Sequence, residues 1–396
     1  MALAQKYTAE LKKFVQDHLN EDPAHLLFKY HGSAHFDLRF AVQQISARQK
    51  VKTKLPSWVA DSSIVFPETL SLEQSSSEAA ARYKSMLMKG QKMVDLTGGL
   101  GIDTFYGGQN FEQVIYVERN EALCEIARHN FSHLAHDKFV VHHQESMAWL
   151  INSREKYDWI YIDPARRGIQ NQKLYKLSDC EPDIVKHWVL LKQKAANLLV
   201  KASPILDIKA VLEELPDIDR VIVLSVKNEI KEILLLSEGI SDKSEVVIEC
   251  VELSSQGETF TFTYEHEGLL DLQLSQPKRF IIEPHASILK AGGFKSFSET
   301  YHIPKLHVNS HLYTSDIHIG NLLGRVYEIL SEVKSDKKVI KKLFPSGKAN
   351  VVVRNYPLKA EDIKNKFRLK DGGDDFLIAS TTMEGKHRLF HCRKVI

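Results

Sequence analysis

Three features are missing from the sequence. There is no apolar run long enough to span a bilayer. The four cysteines, Cys124, Cys180, Cys250 and Cys392, lie far apart, with no CxxC pair and no Cys/His cluster at zinc spacing. Net charge is close to nil, +2 over 396 residues. The first absence excludes a membrane-spanning helix. The second argues against a disulfide framework and suits a reducing interior. The third removes any global field that would steer a polyanion, so a nucleic-acid contact has to come from local basic patches. The opening "MALAQKYTAELKKFVQDHL" carries charges throughout an amphipathic pattern, unlike a signal peptide or an anchor. The expectation is a soluble, cytoplasmic protein with no membrane and no metal partner.

What is present divides by texture. A chain of this length usually holds two or three domains. Residues 1–72 read as a helical region, with Leu11, Phe14, Val15 and Leu19 near helical spacing. "SLEQSSSEAAARYKSMLM" predicts a helix that runs to Gly90. Beyond Gly90, short apolar strands alternate with helical stretches: "KMVDLTGGLG", "EQVIYVERN", "KFVVHHQES", "DWIYIDP", "ANLLVKASP" and "DRVIVLSV" are the strands. That alternation predicts an α/β fold with a parallel sheet covered on both faces. Ligands of such sheets bind beyond the carboxyl ends of the strands.

From about residue 231 the alternation breaks. "KEILLLSE", "EVVIECVELSS" and "ETFTFTYE" read as successive antiparallel strands. After "RFIIEPHASILKAGGF" a loop rich in His and Ser is expected up to about 318, then a helix, "NLLGRVYEILSEV". The last block reads strand, helix, strand, strand, a small α+β unit. The expected divisions are 1–72, 73–265, 266–320 and 321–396.

The turn "VDLTGGLGIDT" follows the first strand and opens a helix. Asp95 ends the strand. Gly98, Gly99 and Gly101 let the backbone pass close to a ligand, and the helix start offers free amides. Glu118, 23 residues after Asp95, ends the second strand, where an acid suits a ribose hydroxyl pair. A dinucleotide fingerprint would need a third glycine where Thr104 stands, and Asp95 would repel a pyrophosphate. The acid suits a ligand carrying an ammonium group, such as S-adenosylmethionine. Glu145, with Ser146 beside it, follows the third strand and suits either an adenine amine or a cap on the next helix.

This set resembles the class I S-adenosylmethionine-dependent methyltransferases: Asp-x-x-x-Gly-x-Gly, acids after strands two and three, and Asp-Pro after strand four. The resemblance runs from about Glu73 to Ser203 and implies a Rossmann-like sheet with S-adenosyl-L-methionine held by Asp95, Thr97, Gly98, Gly99, Gly101, Glu118, Glu145 and Ser146. Thr97 stands where many small-molecule members have glycine, a departure that leans toward nucleic acid. "FPETLSLEQSSSEAAARYKSM" looks like the upstream cofactor-covering element of the group, or like a plain capped helix.

Strand four delivers "IDPARRG" to the edge that carries the glycine turn. In the family's base-amine enzymes this place resembles Asn/Asp-Pro-Pro-aromatic. There the acid or amide oxygen accepts hydrogen bonds from the amine and aims its lone pair at the methyl group. Asp163 and Pro164 match; Ala165 and Arg166 do not. Asp-Pro-x-Arg is nearer to the enzymes that methylate uridine carbon, but Ala202 stands where those carry a nucleophilic cysteine. Methylation of a base nitrogen needs no such nucleophile. Asp163 is therefore the candidate for orienting the amine. Arg166 and Arg167 are candidates for phosphate or base contact, or for fixing the loop to Glu181 or Asp183. Lys201, ending strand five, is either functional in the crevice or a partner of Asp163.

The C-terminal block resembles the THUMP-like domains appended to some RNA-modifying methyltransferases, carried by "GKANVVVRNYPLKAEDIKNKF" and "HRLFHCRKV". The segment before it resembles the small, ferredoxin-like linking domain of that architecture. Its His285, His302, His307, His311 and His318 lack metal spacing and read as loop histidines. Lys341, Lys342, Lys348, Arg354 and the run from Lys386 to Arg393 make this end basic, which an RNA backbone would favour. Arg48, Lys50, Lys52 and Lys54 form a second basic cluster, suited to RNA or to a solvated loop. The leading expectation is an S-adenosylmethionine-dependent RNA methyltransferase acting on a base nitrogen. The alternatives are a non-catalytic RNA-binding protein that keeps the fold and a small-molecule methyltransferase. An NAD oxidoreductase is disfavoured by Asp95 and Thr104.

Overall fold

The computed structural model describes residues 3–134, 136–166, 176–239, 245–254 and 258–395. Short polar side chains set the starts of four of the seven N-terminal helices. The seven are α1 (Leu3–Lys6), α2 (Ala9–Asp17), α3 (Pro23–Lys29), α4 (Leu38–Val51), α5 (Pro56–Ala60), α6 (Thr69–Gln74) and α7 (Glu78–Leu87). Thr8, Asp22, Asp37 and Ser77 each accept a backbone amide of the first turn that follows them. Ser77 explains why the long helix expected over 71–88 is two helices: its cap starts α7 afresh after a break at Ser75–Ser77.

The alternating part follows as β1 (Lys92–Asp95), α8 (Ile102–Gly107), β2 (Gln113–Glu118), α9 (Glu121–Leu134), β3 (Phe139–His143), α10 (Ser146–Asn152) and β4 (Tyr157–Ile162). It continues through β5 (Ala165–Arg166), β6 (Cys180–Glu181), α11 (Ile184–Lys194), β7 (Ala195–Ala202), α12 (Ile208–Glu214), β8 (Arg220–Val226) and β9 (Glu229–Ser237). The remainder is β10 (Val247–Glu252), β11 (Glu258–Thr263), α13 (Tyr264–Leu269), β12 (Phe280–Pro284), α14 (Ala286–Ala291), α15 (Phe294–Tyr301) and β13 (Tyr313–Ser315). Then come β14 (Gly324–Val333), α16 (Lys337–Leu343), β15 (Asn350–Arg354), α17 (Ala360–Phe367), β16 (Asp375–Thr381) and β17 (His387–Lys394). Two compact units result, Met1–Asp219 with Ile233–Asp242, and Arg220–Glu232 with Lys243–Ile396.

In the first unit the strand order is β9-β7-β4-β1-β2-β3. β1 pairs in parallel with both β2 and β4, β2 with β3, and β4 with β7. The end of β9 closes the row antiparallel to β7. This is the Rossmann-like, mostly parallel sheet that the alternation implied. The chain runs outward from β1 to β3 and then returns to β4, so the carboxyl ends of β1 and β4 flank the switch point. Tyr7, Leu11, Leu26, Ala41 and Ile45 bury one face of the N-terminal helices around Val65 and Ile126. Trp58, Phe66 and Leu72 pack with Leu100, Ile102 and Tyr106, which fixes the segment after the glycine turn.

In the second unit β10 lies antiparallel to β11, as expected, and parallel to β8, a pairing that the sequence reading did not include. A six-stranded sheet follows, in the order β13-β12-β14-β17-β16-β15, with only β15–β16 parallel. The helix expected over 321–333 is instead strand β14, paired on one side with β12 and on the other with β17. Its register shifts between Ile329 and Ser331. That bulge breaks the two-residue alternation and leaves Val326, Ile329 and Val333 at spacings that imitate a helix. The His/Ser-rich stretch expected to be a loop contains most of α15 and all of β13.

Candidate active site

Asp95, at the end of β1, is buried, 1% exposed. Its Oδ1 accepts the Thr97 amide at 2.9 Å and the Thr97 hydroxyl at 3.3 Å; its Oδ2 accepts the Thr104 hydroxyl at 2.5 Å. Thr104 thus stands where a dinucleotide turn would have its third glycine because it anchors this acid. Burial pushes the Asp95 carboxyl up to about 7 against those hydrogen bonds, and the nearby carboxylates of Asp103 and Asp163 add to the rise.

The glycines have different tasks. A Cβ on Gly98 would come within 2.2 Å of the Tyr116 ring, so this position closes the turn against β2. Gly101 has φ +81° and opens α8, and a Cβ there would meet Phe131 at 2.8 Å. Gly99, at φ +54°, would meet only the Thr97 carbonyl, at 3.7 Å. It is the glycine with open space above it. Its amide donates to Glu118 Oε2 at 3.0 Å, and its carbonyl accepts the Tyr116 hydroxyl at 2.6 Å. The acid at the end of β2 is thereby held against the turn, and its other oxygen accepts the Asn120 amide.

β4 brings Asp163 to the same edge. Its backbone amide donates to Thr97 Oγ1 at 2.6 Å, and its Oδ2 lies 2.5 Å from Lys201 Nζ at the end of β7. Lys201 is therefore both in the crevice and the partner of Asp163. Glu145 caps α10: its carboxylate accepts the amides of Met147 and Ala148 and the Ser146 hydroxyl. Burial alone would raise its pKa, but those bonds outweigh it and hold the group lower than usual. After Pro164, Ala165 and Arg166 pair with Glu181 and Cys180, and Glu181 accepts from Arg119. Arg167 and the side chain of Arg166 lie outside the described residues.

Sequence reasoning missed a second layer. Asp103 in α8 takes Lys84 Nζ of α7 at 2.9 Å, with Lys84 1% exposed. Ser76 and Tyr161 donate hydroxyls to its Oδ2, each at 2.7 Å. Burial works against the charge, but Lys84, Lys201, Ser76 and Tyr161 prevail and hold the Asp103 carboxyl at about 2. The upstream segment is thus fastened to the helix that the glycine turn opens. The sequence signals were a lysine on an otherwise small-residue face, "EAAARYKSM", and an acid directly after "GGLGI".

Other expected contacts are used internally. Arg48 is 2% exposed and donates to the carbonyls of Val59, Asp61 and Ile64 and to the Tyr7 hydroxyl. Lys50 pairs with Glu73, and Lys54 holds the carbonyls of Leu72 and Glu73. Among the described residues, no group of three or more His, Cys, Asp or Glu could hold a metal ion, and no helix is long and apolar enough to cross a membrane.

This geometry has a full-length counterpart. The crystal structure of a "putative methyltransferase" from Porphyromonas gingivalis W83 superposes with a TM-score of 0.89 at 30% identity, covering all of both chains. The chain belongs to this methyltransferase family. Two family models match its C-terminal part: a ferredoxin-like domain over residues 280–322 and a THUMP domain-like model over 324–394. In this family member the two matched regions share one sheet, because β12 of the first pairs with β14 of the second. More distant likenesses include a Streptococcus mutans methyltransferase in complex with SAH, 14% identical over 40% of this chain and 94% of that one, with a TM-score of 0.30. An rRNA methylase from Streptococcus thermophilus is 12% identical over 40% and 92%, also at 0.30. No curated protein matches this chain.

Proposed function

We propose that the protein is an S-adenosylmethionine-dependent methyltransferase that methylates a base nitrogen in RNA. The observation that carries this is the tie between Thr97 and Asp163 beside the glycine turn, which supports Asp163 as the residue that orients the amine. The turn fits the cofactor: Gly99 leaves a cradle that a Cβ would fill, and Glu118 stands at its rim. Asp95, Thr97, Gly98, Gly99, Gly101 and Glu118 would hold it, with Glu145 and Ser146 at the edge of β3. S-adenosylmethionine, when bound, supplies an electrophilic methyl group.

The chain's own residues do the rest. Asp163 accepts an N–H of the acceptor amine, which aims the nitrogen lone pair, and it takes the proton that the nitrogen sheds on methylation. Lys201 fixes the orientation of the Asp163 carboxylate. Arg166 contacts base or phosphate. With Ala202 in place of a cysteine, no covalent carbon-methylation route is available at the end of β7. We carry the divisions 1–72, 73–265, 266–320 and 321–396 as part of this reading, with catalysis in the second part and RNA recruitment in the last.

Replacing Asp163 by Ala tests the assignment. Methyl transfer to RNA should collapse while RNA binding persists. Unchanged transfer would remove Asp163 from the mechanism, and a wild-type protein that binds RNA without any transfer would favour the non-catalytic alternative.

A further inference from the structure

The C-terminal basic residues are not equivalent once their partners are known. Arg354 is held by the buried carboxylate of Glu283 at 2.6 Å. Lys386 meets Glu384, Arg388 meets Glu332, and His391 and Arg393 both face Asp375. The run from Lys386 to Arg393 is therefore largely neutralised within its own sheet. The lysines around α16 are different. Lys334, Lys337, Lys338, Lys341 and Lys342 are all exposed, and no carboxylate among the described residues lies within ion-pair distance of any of them.

Helical geometry puts these charges together. Positions 337 and 341, and 338 and 342, are one turn apart, so the four lysines share one side of α16. Ile340 faces the other way, into a core with Ile363 and Phe367 of α17. Lys366 joins the patch, donating to Ser335 at 3.0 Å. The nearby acids are already engaged: Asp336 caps α16, Asp362 caps α17, and Glu361 and Asp371 hold Lys364. Residues 334–370 carry twelve Lys and Arg against three acids, in a chain whose net charge is only +2. Like charges one turn apart oppose helix formation, and no carboxylate among the described residues pairs with these lysines to offset that repulsion.

We propose that the lysine face of α16, not the C-terminal strand β17, is the surface that takes the phosphate backbone of the RNA. This rests on the RNA reading above and locates it. Exposed lysines bind a phosphate chain by releasing counterions, without reading sequence, which suits recruitment rather than base choice.

The test uses the full-length protein and a labelled RNA hairpin of mixed sequence. One variant carries Lys337→Gln, Lys338→Gln, Lys341→Gln and Lys342→Gln; glutamine keeps helix propensity. A comparison variant carries Lys386→Gln with Arg393→Gln. The first should bind the hairpin about tenfold or more weakly, with the salt dependence of log K reduced by roughly three. The comparison variant should bind within about twofold of wild type. Both should keep the thermal midpoint and the affinity for S-adenosylhomocysteine. Equal binding by the α16 variant, a larger loss in the comparison variant, or a wild-type protein that binds phosphatidylglycerol vesicles and not the hairpin would each overturn the proposal. RNA binding through α16 without any methyl transfer would uphold it and remove the catalytic reading instead.

Discussion

The backbone amide of Asp163 donates to the hydroxyl of Thr97 at 2.6 Å, so the end of β4 is tied to the turn after β1. The same hydroxyl donates to Asp95 at 3.3 Å. One threonine side chain thus joins the acid under the glycine turn to the acid proposed to meet the acceptor. Replacing it by valine leaves the Asp163 amide without that acceptor. Thr97→Val should lose about 1–3 kcal/mol of stability and most methyl transfer, whereas Thr97→Ser should keep both. Urea unfolding and transfer assays on the pair check this. Valine and serine variants that behave alike would show that the tie is unimportant.

Gly98 and Gly99 should respond differently to alanine. At Gly98 the new methyl meets the Tyr116 ring at 2.2 Å, so Gly98→Ala should cost about 1–3 kcal/mol through overpacking. Tyr116→Leu in the same chain should return part of that. At Gly99 there is room but the backbone is left-handed, so Gly99→Ala should cost about 1–2 kcal/mol. It should fold and lose affinity for S-adenosylhomocysteine, because the methyl enters the cradle. Denaturation curves and calorimetric titration separate the two effects.

Asp95 makes the site sensitive to pH near neutrality. Its carboxyl, pushed up to about 7 in the fold, sits at about 4 in the unfolded chain. Between those values the folded protein holds a proton that the unfolded chain has released. This group's contribution to stability therefore falls as pH rises from about 4 to about 7. A cationic ligand at the turn favours the ionised form, so S-adenosylmethionine should bind more tightly as pH rises through about 7, with release of a proton. Binding heats at pH 7 in two buffers of different ionisation enthalpy should differ, and the difference should vanish in Asp95→Asn. Equal heats for the wild type would exclude proton release.

The buried Lys84–Asp103 pair should matter to stability. Lys84→Met leaves a buried carboxylate with fewer partners and should cost about 3–5 kcal/mol. Adding Asp103→Leu should recover part of the loss. On the acid side, Asp103 is held below its ordinary value, at about 2. The stability it adds is present above about 4 and is lost as pH falls toward 2. Chemical denaturation of the single and double variants gives the comparison directly.

The glycine turn was legible because its chemistry is local: an acid, a left-handed glycine and a helix start lie within ten residues. The parallel sheet was legible because fully buried strands such as "DWIYID" read as apolar runs between helices. Asp103 and Lys84 were not, since their pairing depends on α7 lying against α8, which no local pattern states. Arg48 looked like an RNA contact because its neighbours are basic. The fold instead turns it inward, where backbone carbonyls accept from the two terminal nitrogens of its guanidinium. β14 was misread because a bulge mimics the helical period. The partners of the C-terminal charges were hidden for a related reason: sequence shows the bases of β17 but not the carboxylates of Asp375, Glu332 and Glu384 that face them.

Transfer of label from S-adenosyl[methyl-³H]methionine to RNA from a strain lacking the protein tests the central claim most directly, with the nucleosides resolved by mass spectrometry. The account predicts label in one base methylated on nitrogen, formed by the wild-type protein and not by Asp163→Ala. Label on a base carbon, or none with wild-type protein that binds both RNA and the cofactor, would contradict it.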